Sequence, residues 1–181
     1  YVVDRFKGWP HPGHIPLQRG DRSRLADYAS DASDPGIPPM STGTPLAFTL
    51  GDAAGVGPEL IAHLFAEGLP HPAVVYGDAG ALRRACHALG LDSRLEVRSL
   101  EAPGAVTTGG VIGVLNRWNA LPADLPSGLE DPRAGRGAYE YLCHAIDDAL
   151  AGQVRALVTA PLHKGALHAA GIDFPGHTEI L

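Results

Sequence analysis

From Pro45 onward the chain alternates between short apolar runs and longer segments with helical spacing. Leu46-Ala-Phe-Thr-Leu50 reads as a strand, and Ala73-Val-Val-Tyr-Gly77 as a second, buried one. Arg94–Arg98 alternates polar and apolar residues, as an exposed or edge strand does. Val111–Leu115 and Ala156–Thr159 complete the set. Between them lie the helical signals. Gly51–Gly57 reads as a turn, and Pro58 suits the first position of a helix reaching Glu67. Asp78 suits the cap of a helix over Ala79–Leu89, which Gly90 ends. Leu121–Arg133 is a loop rich in proline and glycine. Gly135–Ala151 is the clearest helix: Tyr139, Leu142, Ile146 and Leu150 form one apolar stripe, with Glu140, Asp147 and Asp148 elsewhere. Gly152 ends it, and a short helix over Lys164–Ala170 ends at Gly171. Strands alternating with helices predict an α/β/α sandwich with a largely parallel sheet. No internal repeat is present.

Residues 1–39 break this pattern. They hold six of the sixteen prolines and almost no periodic apolar positions. Five basic residues offset five acidic ones there, so the whole net charge of −6 belongs to residues 40–181. Such a stretch buries too little surface to offset its ordering entropy. The only methionine, Met40, stands just before the first strand. The expectation is a disordered or artefactual extension over 1–39, with the native start near Met40. The rival reading, a basic arm built on Arg19, Arg22 and Arg24, is weakened by the neighbouring aspartates.

Composition narrows the class. A chain of 181 residues with 45% hydrophobic and 19% charged residues has the makings of one globular domain. The acidic balance argues against nonspecific nucleic-acid binding, and no apolar run is long enough to span a bilayer. Cys86 and Cys143 are far apart and form no CxxC, which suggests buried thiols in a reducing cytoplasm.

Three segments could carry chemistry. Leu50-Gly-Asp-Ala-Ala-Gly-Val-Gly-Pro-Glu59 is a Gly-rich turn between a strand and a helix, where backbone N–H groups can receive an anion. It is neither a Walker loop nor a dinucleotide fingerprint, since no Gly-Lys-Ser/Thr follows and Leu60 occupies the third glycine position. Asp52, at the carboxyl end of a strand, is the one polar side chain there that could face a ligand; otherwise the turn is only a tight connection. Thr159-Ala-Pro-Leu-His-Lys164 follows another strand. Lys164 could hold a phosphate or carboxylate and His163 could relay a proton. The plainer reading makes Thr159 a loop cap and Lys164 a solvated residue. Gly176-His-Thr-Glu179 places an imidazole and a hydroxyl where a helix opens, which suits an anionic, hydroxylated ligand. The plainer reading there is an N-cap threonine with an incidental histidine. His163, His168 and His177 lack a short metal-ligand spacing, so no metal site is expected within this chain.

In combination, Thr49–Glu59, Ala156-Leu-Val-Thr-Ala-Pro-Leu-His-Lys-Gly165 and Ala169-Ala-Gly-Ile-Asp-Phe-Pro-Gly-His-Thr-Glu179 resemble the 4-hydroxythreonine-4-phosphate dehydrogenase family. The resemblance covers residues 45–181, roughly the first two-fifths of the family's usual length. It implies a truncated form of the isocitrate/isopropylmalate dehydrogenase-like fold. It further implies oxidation of 4-phosphooxy-L-threonine with NAD or NADP, then decarboxylation assisted by a divalent metal (zinc, magnesium or cobalt). By that resemblance His177 and Thr178 bind substrate, with Lys164, His163 and Asp52 nearby. The metal ligands and most of the nicotinamide site are expected beyond Leu181, and a homodimer is expected at full length. Ala53 stands where many members have proline. An inactive fragment, a paralogue acting on 4-phospho-threonate or -erythronate, and a noncatalytic phosphate-binding module are the competing readings.

Overall fold

A computed structural model describes residues 2–4, 43–103, 109–174 and 176–181. The chain divides into a unit of Tyr1–Arg5 and Thr42–Leu181 and a second unit of Phe6–Ser41. The second unit lies outside the described residues, and so does most of the expected N-terminal extension. The exception is β1 (Val2–Asp4), a strand in a stretch whose sequence shows no strand periodicity.

The remaining elements follow the alternation seen in the sequence. They are β2 (Leu46–Thr49), α1 (Gly57–Glu67), β3 (Ala73–Tyr76), α2 (Ala79–Ala88), β4 (Glu96–Ser99), β5 (Val111–Leu115), α3 (Pro132–Leu150), β6 (Ala156–Thr159), α4 (Lys164–Ala169) and α5 (His177–Ile180). The sheet order is β1-β6-β2-β3-β5-β4. Five strands run parallel, and β1 alone pairs antiparallel, on the outer side of β6. This is the α/β fold that the alternation predicts.

The strand order decides where a ligand can sit. The chain leaves β2 toward β3 on one side, then returns from β5 across the sheet to β6 on the other. Right-handed crossovers in opposite directions put their helices on opposite faces. Between β2 and β6 the strand order therefore reverses, and the loops leaving those two strands diverge around a crevice. Thr49 is in register with Tyr76 on one side and Thr159 on the other, so these strands end level.

Ala47, Val74, Val75, Ile112, Val114 and Leu157 fill the sheet's interior, each essentially inaccessible. Phe48 meets Phe65 of α1 edge-to-face at 5.9 Å between ring centres. Asp78 caps α2 by accepting the Ala81 N–H at 2.7 Å, as its position before an apolar stretch predicts.

Helix α3 departs from expectation in two ways. It begins at Pro132, within the stretch read as loop, because Asp131 caps it through the Arg133 N–H at 2.8 Å. Its buried face is also not the stripe of Tyr139, Leu142, Ile146 and Leu150. Ala134, Ala138, Tyr141, Leu142, Ala145 and Asp148 face inward, while Leu150 is 54% exposed. Small side chains on that face let α3 approach its neighbours closely. A Cβ on Gly135 would run into the backbone of Ala166, so glycine there sets the α3–α4 distance.

Candidate substrate site at the ends of β2 and β6

The loops leaving β2 and β6 are bonded to each other. The Asp52 N–H donates to the Pro161 carbonyl at 3.0 Å, and the Ala160 N–H donates to the Thr49 carbonyl at 3.1 Å. The contact is so close that Gly51, at φ 67°, has no room for a side chain: a Cβ would meet the Pro161 oxygen. Gly57 packs in the same way against the Leu50 carbonyl. These glycines serve backbone packing.

Asp52 is buried, at 4% exposure. Its Oδ1 accepts the Ala54 N–H at 2.8 Å, and its carbonyl accepts the Gly55 N–H at 3.0 Å. The Asp52, Ala54 and Gly55 donors of the turn are thus all engaged within the protein, which removes much of the cradle an anion would need. Burial pushes the Asp52 carboxyl up, against the opposing pull of the Ala54 N–H and of His163. A carboxyl raised in the folded state binds its proton more tightly there than in the unfolded chain. Stability therefore falls as pH rises from the unfolded value of 3.8 through the raised folded value. Asp52→Asn keeps an acceptor for Ala54 and removes the buried charge. We expect this variant to be as stable as the wild type or slightly more so at neutral pH, with a flatter acid limb in pH-dependent urea denaturation. Substantial destabilisation at pH 7 would contradict it.

His163 caps α4, its Nδ1 accepting the Ala166 N–H at 3.1 Å. That places the proton of the neutral ring on Nε2. Glu130 Oε2 lies 3.8 Å from the same Nδ1, and its carboxylate covers Gly165, where any Cβ would collide with it. Lys164 opens α4 and is exposed, with no ion-pair partner among the described residues.

His177 opens α5. Its Nε2 lies 3.1 Å from the Ala160 carbonyl. A carbonyl only accepts, so Nε2 carries the proton and Nδ1 presents a lone pair. Burial holds the imidazole below its ordinary range, opposed by the bond to Ala160. Thr178 beside it is exposed and makes no hydrogen bond among the described residues.

Of the residues singled out in the sequence, the fold brings Asp52 and His163 into electrostatic contact and ties His177 to the β6 loop. No hydrogen bond joins Lys164 to Thr178. Two acidic residues escaped the sequence reading. Glu130 stands over His163, and Asp131 adds a second negative charge near Asp52 while paired to Arg133. The Asp131-Pro132 step, a cap followed by a first-turn proline, is the signal that would have moved the start of α3 and drawn attention to both.

The described residues do not fit a divalent metal: no three His, Cys, Asp or Glu side chains among them converge. A nucleotide pyrophosphate fits the β2 turn no better, given its engaged donors. His87 pairs at 2.9 Å with Asp92 on the surface, remote from these loops in sequence. Cys86 and Cys143 are free thiols, and burial pushes both up, away from reactivity.

A parallel α/β sheet whose polar loops meet where its strand order reverses has the architecture of the doubly wound class, in which ligands bind at that crevice. The family model described as "Pyridoxal phosphate biosynthetic protein PdxA" matches residues 69–181. The D-threonate 4-phosphate dehydrogenase of Salmonella typhimurium is 42% identical over 145 residues, 78% of this chain and 44% of that protein. The 4-hydroxythreonine-4-phosphate dehydrogenase of Beijerinckia indica is 40% identical over 143 residues, 76% of this chain and 40% of that protein. The crystal structure of 4-hydroxythreonine-4-phosphate dehydrogenase from Klebsiella pneumoniae superposes with a TM-score of 0.71 at 39% identity, covering 77% of this chain and 43% of that one. The chain belongs to the PdxA family. It spans less than half the length of these relatives.

Proposed function

We propose that this chain supplies the substrate-gripping wall of a dehydrogenase acting on the secondary alcohol of a phosphorylated four-carbon hydroxy acid. The first reading of the substrate is 4-phosphooxy-L-threonine. Its oxidation by NAD or NADP gives a β-keto acid, which loses carbon dioxide to leave 3-amino-2-oxopropyl phosphate for pyridoxal 5'-phosphate synthesis. D-threonate 4-phosphate is the second reading, favoured by the name of the Salmonella relative. The enzyme is proposed to act as a cytoplasmic homodimer. The nicotinamide nucleotide would accept hydride, and a divalent metal would polarise the forming carbonyl. Residues outside those described would hold both groups, and no step here passes through them.

The observation that carries this reading is the state of His177. With Nε2–H held by Ala160 and the ring kept neutral by burial, Nδ1 is an acceptor suited to a substrate hydroxyl. The Thr178 hydroxyl next to it can donate to a phosphate or carboxylate oxygen, and Lys164 on the neighbouring helix is a cation with no ion-pair partner among the described residues. His163, fixed as the α4 cap, and Asp52, fixed in its turn, hold the backbone on which these groups stand.

The sign of the pH dependence follows from the tautomer. Protonating Nδ1 removes the acceptor, so affinity falls as pH drops through the lowered folded pKa of His177, below 6.5. Calorimetric titration of the 181-residue chain with 4-phosphooxy-L-threonine and with D-threonate 4-phosphate measures this. We expect His177→Ala to weaken binding about tenfold, the value of one hydrogen bond of about 1.4 kcal/mol, and to abolish the acid limb. Binding indifferent to His177, or absent for both ligands at millimolar concentration, would sink the proposal.

A further inference from the structure

Between the end of α4 and His177, Gly171, Asp173 and Phe174 are exposed, and the structure shows what holds this stretch. The first half is anchored by backbone. Gly171, at φ 75°, lets the chain turn back so that the Ile172 N–H reaches the Leu167 carbonyl at 3.0 Å, and the Ile172 side chain is buried. Beyond Ile172 this anchoring stops: neither Asp173 nor Phe174 is held by a hydrogen bond among the described residues. Phe174, 39% exposed, instead lies on the ring of Tyr139 in α3, with ring centres 6.0 Å apart and planes 15° from parallel. Tyr139 is itself braced. The Arg136 guanidinium stands 6.0 Å from its ring centre, one turn back. Three residues after Phe174, His177 makes its bond to Ala160.

We infer that Tyr139 is a positioning residue for the His177–Thr178 pair, acting through its stack on Phe174. The inference rests on the reading of that pair as the substrate grip. It also accounts for an oddity of α3. Tyr139 belongs to the apolar stripe of the sequence, yet it is only half-buried, at the margin of the face that buries Tyr141 and Leu142. A large aromatic at that place finds its partner in the segment that delivers the site. The α3 helix is fixed to α4 by the close approach at Gly135, so the stack ties Phe174 to a helix that is itself packed against its neighbour.

The test uses the intact chain and reads geometry independently of turnover. Amide exchange at Thr178 and the 15N shifts of the His177 ring are recorded for wild type, Tyr139→Leu and Tyr139→Phe. Losing an aromatic stack should speed exchange at Thr178 by about three- to tenfold in Tyr139→Leu and mix the His177 tautomers, whereas Tyr139→Phe, which keeps the ring, should match wild type. Should Tyr139→Leu fail to fold, Phe174→Leu removes the same stack from the surface side and must reproduce the effect. Unchanged exchange and tautomer in a folded leucine variant would overturn the inference. So would a phenylalanine variant as perturbed as the leucine one, because the hydroxyl and not the ring would then be the cause. If these signals respond as expected while neither phosphorylated ligand binds, the positioning stands and the substrate reading alone fails.

Discussion

Gly51→Ala should cost the fold about 3 kcal/mol: about 1 for placing an L-residue at positive φ and the rest for displacing backbone that cannot yield cheaply. The residue sits at φ 67°, with the Ala160 oxygen 2.8 Å from where a Cβ would stand and the Pro161 oxygen closer still. For a domain of this size such a loss lowers the melting temperature by roughly 10 °C. Gly90→Ala is the built-in comparison. It has the same φ of 67° but nothing within 4 Å of the added methyl, so it isolates the conformational cost, about 1 kcal/mol. Equal melting temperatures for the two variants would show that the β2 and β6 loops are not in backbone contact. The expected damage at Gly51 is also local to the site. The displaced atoms belong to Ala160 and Pro161, and Ala160 is the residue to which His177 donates. Residual folded Gly51→Ala protein should therefore lose the single-tautomer signature of His177, which Gly90→Ala protein keeps.

That coupling marks the boundary of what the sequence discloses. The strands β2, β3 and β5 were legible because they are short apolar runs buried in a parallel sheet, where burial on both faces leaves little room for a mixed pattern. Several helix ends were legible from residues with a mechanism, Asp78 as a cap and Gly90, Gly152 and Gly171 at positive φ, while the Asp131 cap was missed. The face of α3 was only partly legible, because much of its contact surface is Ala134, Ala138 and Ala145, whose low hydrophobicity gives a weaker signal than the exposed Leu150. The type of small residue that allows close packing is the type that periodicity weighs least. Asp52 and His163 stand out as types and lie on the two loops that the sheet order brings together, and His177 joins them through its bond to Ala160. What each histidine does with its two nitrogens depends on Ala166 and Ala160, and backbone partners leave no trace in composition. Asp148 is the clearest loss: a charged residue assigned to the solvent side that is 3% exposed.

Asp148 supports the second large effect. Its Oδ2 accepts the Tyr76 hydroxyl at 2.6 Å, and its Oδ1 accepts from Arg117 at 3.2 Å, joining the end of β3, the segment after β5 and the last turn of α3. Arg117 is partly solvated, its side chain 35% exposed, so the ion pair is screened and the buried hydroxyl is the larger concern. Asp148→Ala leaves that hydroxyl without an acceptor and opens a small cavity. We expect a loss of about 2–4 kcal/mol by urea denaturation, while Tyr76→Phe, which removes donor and need together, costs about 1. In the double variant the two losses should fall short of adding, since the second substitution removes the group that the first left stranded. The tyrosine also carries a pH signature. Burial first, and then Asp148, push its ionisation well above the ordinary 10.0. The unfolded chain releases this proton near pH 10 while the folded chain keeps it, so stability falls with rising pH from there at about 1.4 kcal/mol per unit for each such group. Tyr141, buried and likewise pushed up, adds a second share. Tyr76→Phe should flatten the alkaline limb by one proton's worth and leave the remainder. An alkaline limb unchanged in Tyr76→Phe, or an Asp148→Ala protein as stable as wild type, would mean that the hydroxyl finds its partner elsewhere and that α3 is held to the sheet by packing alone.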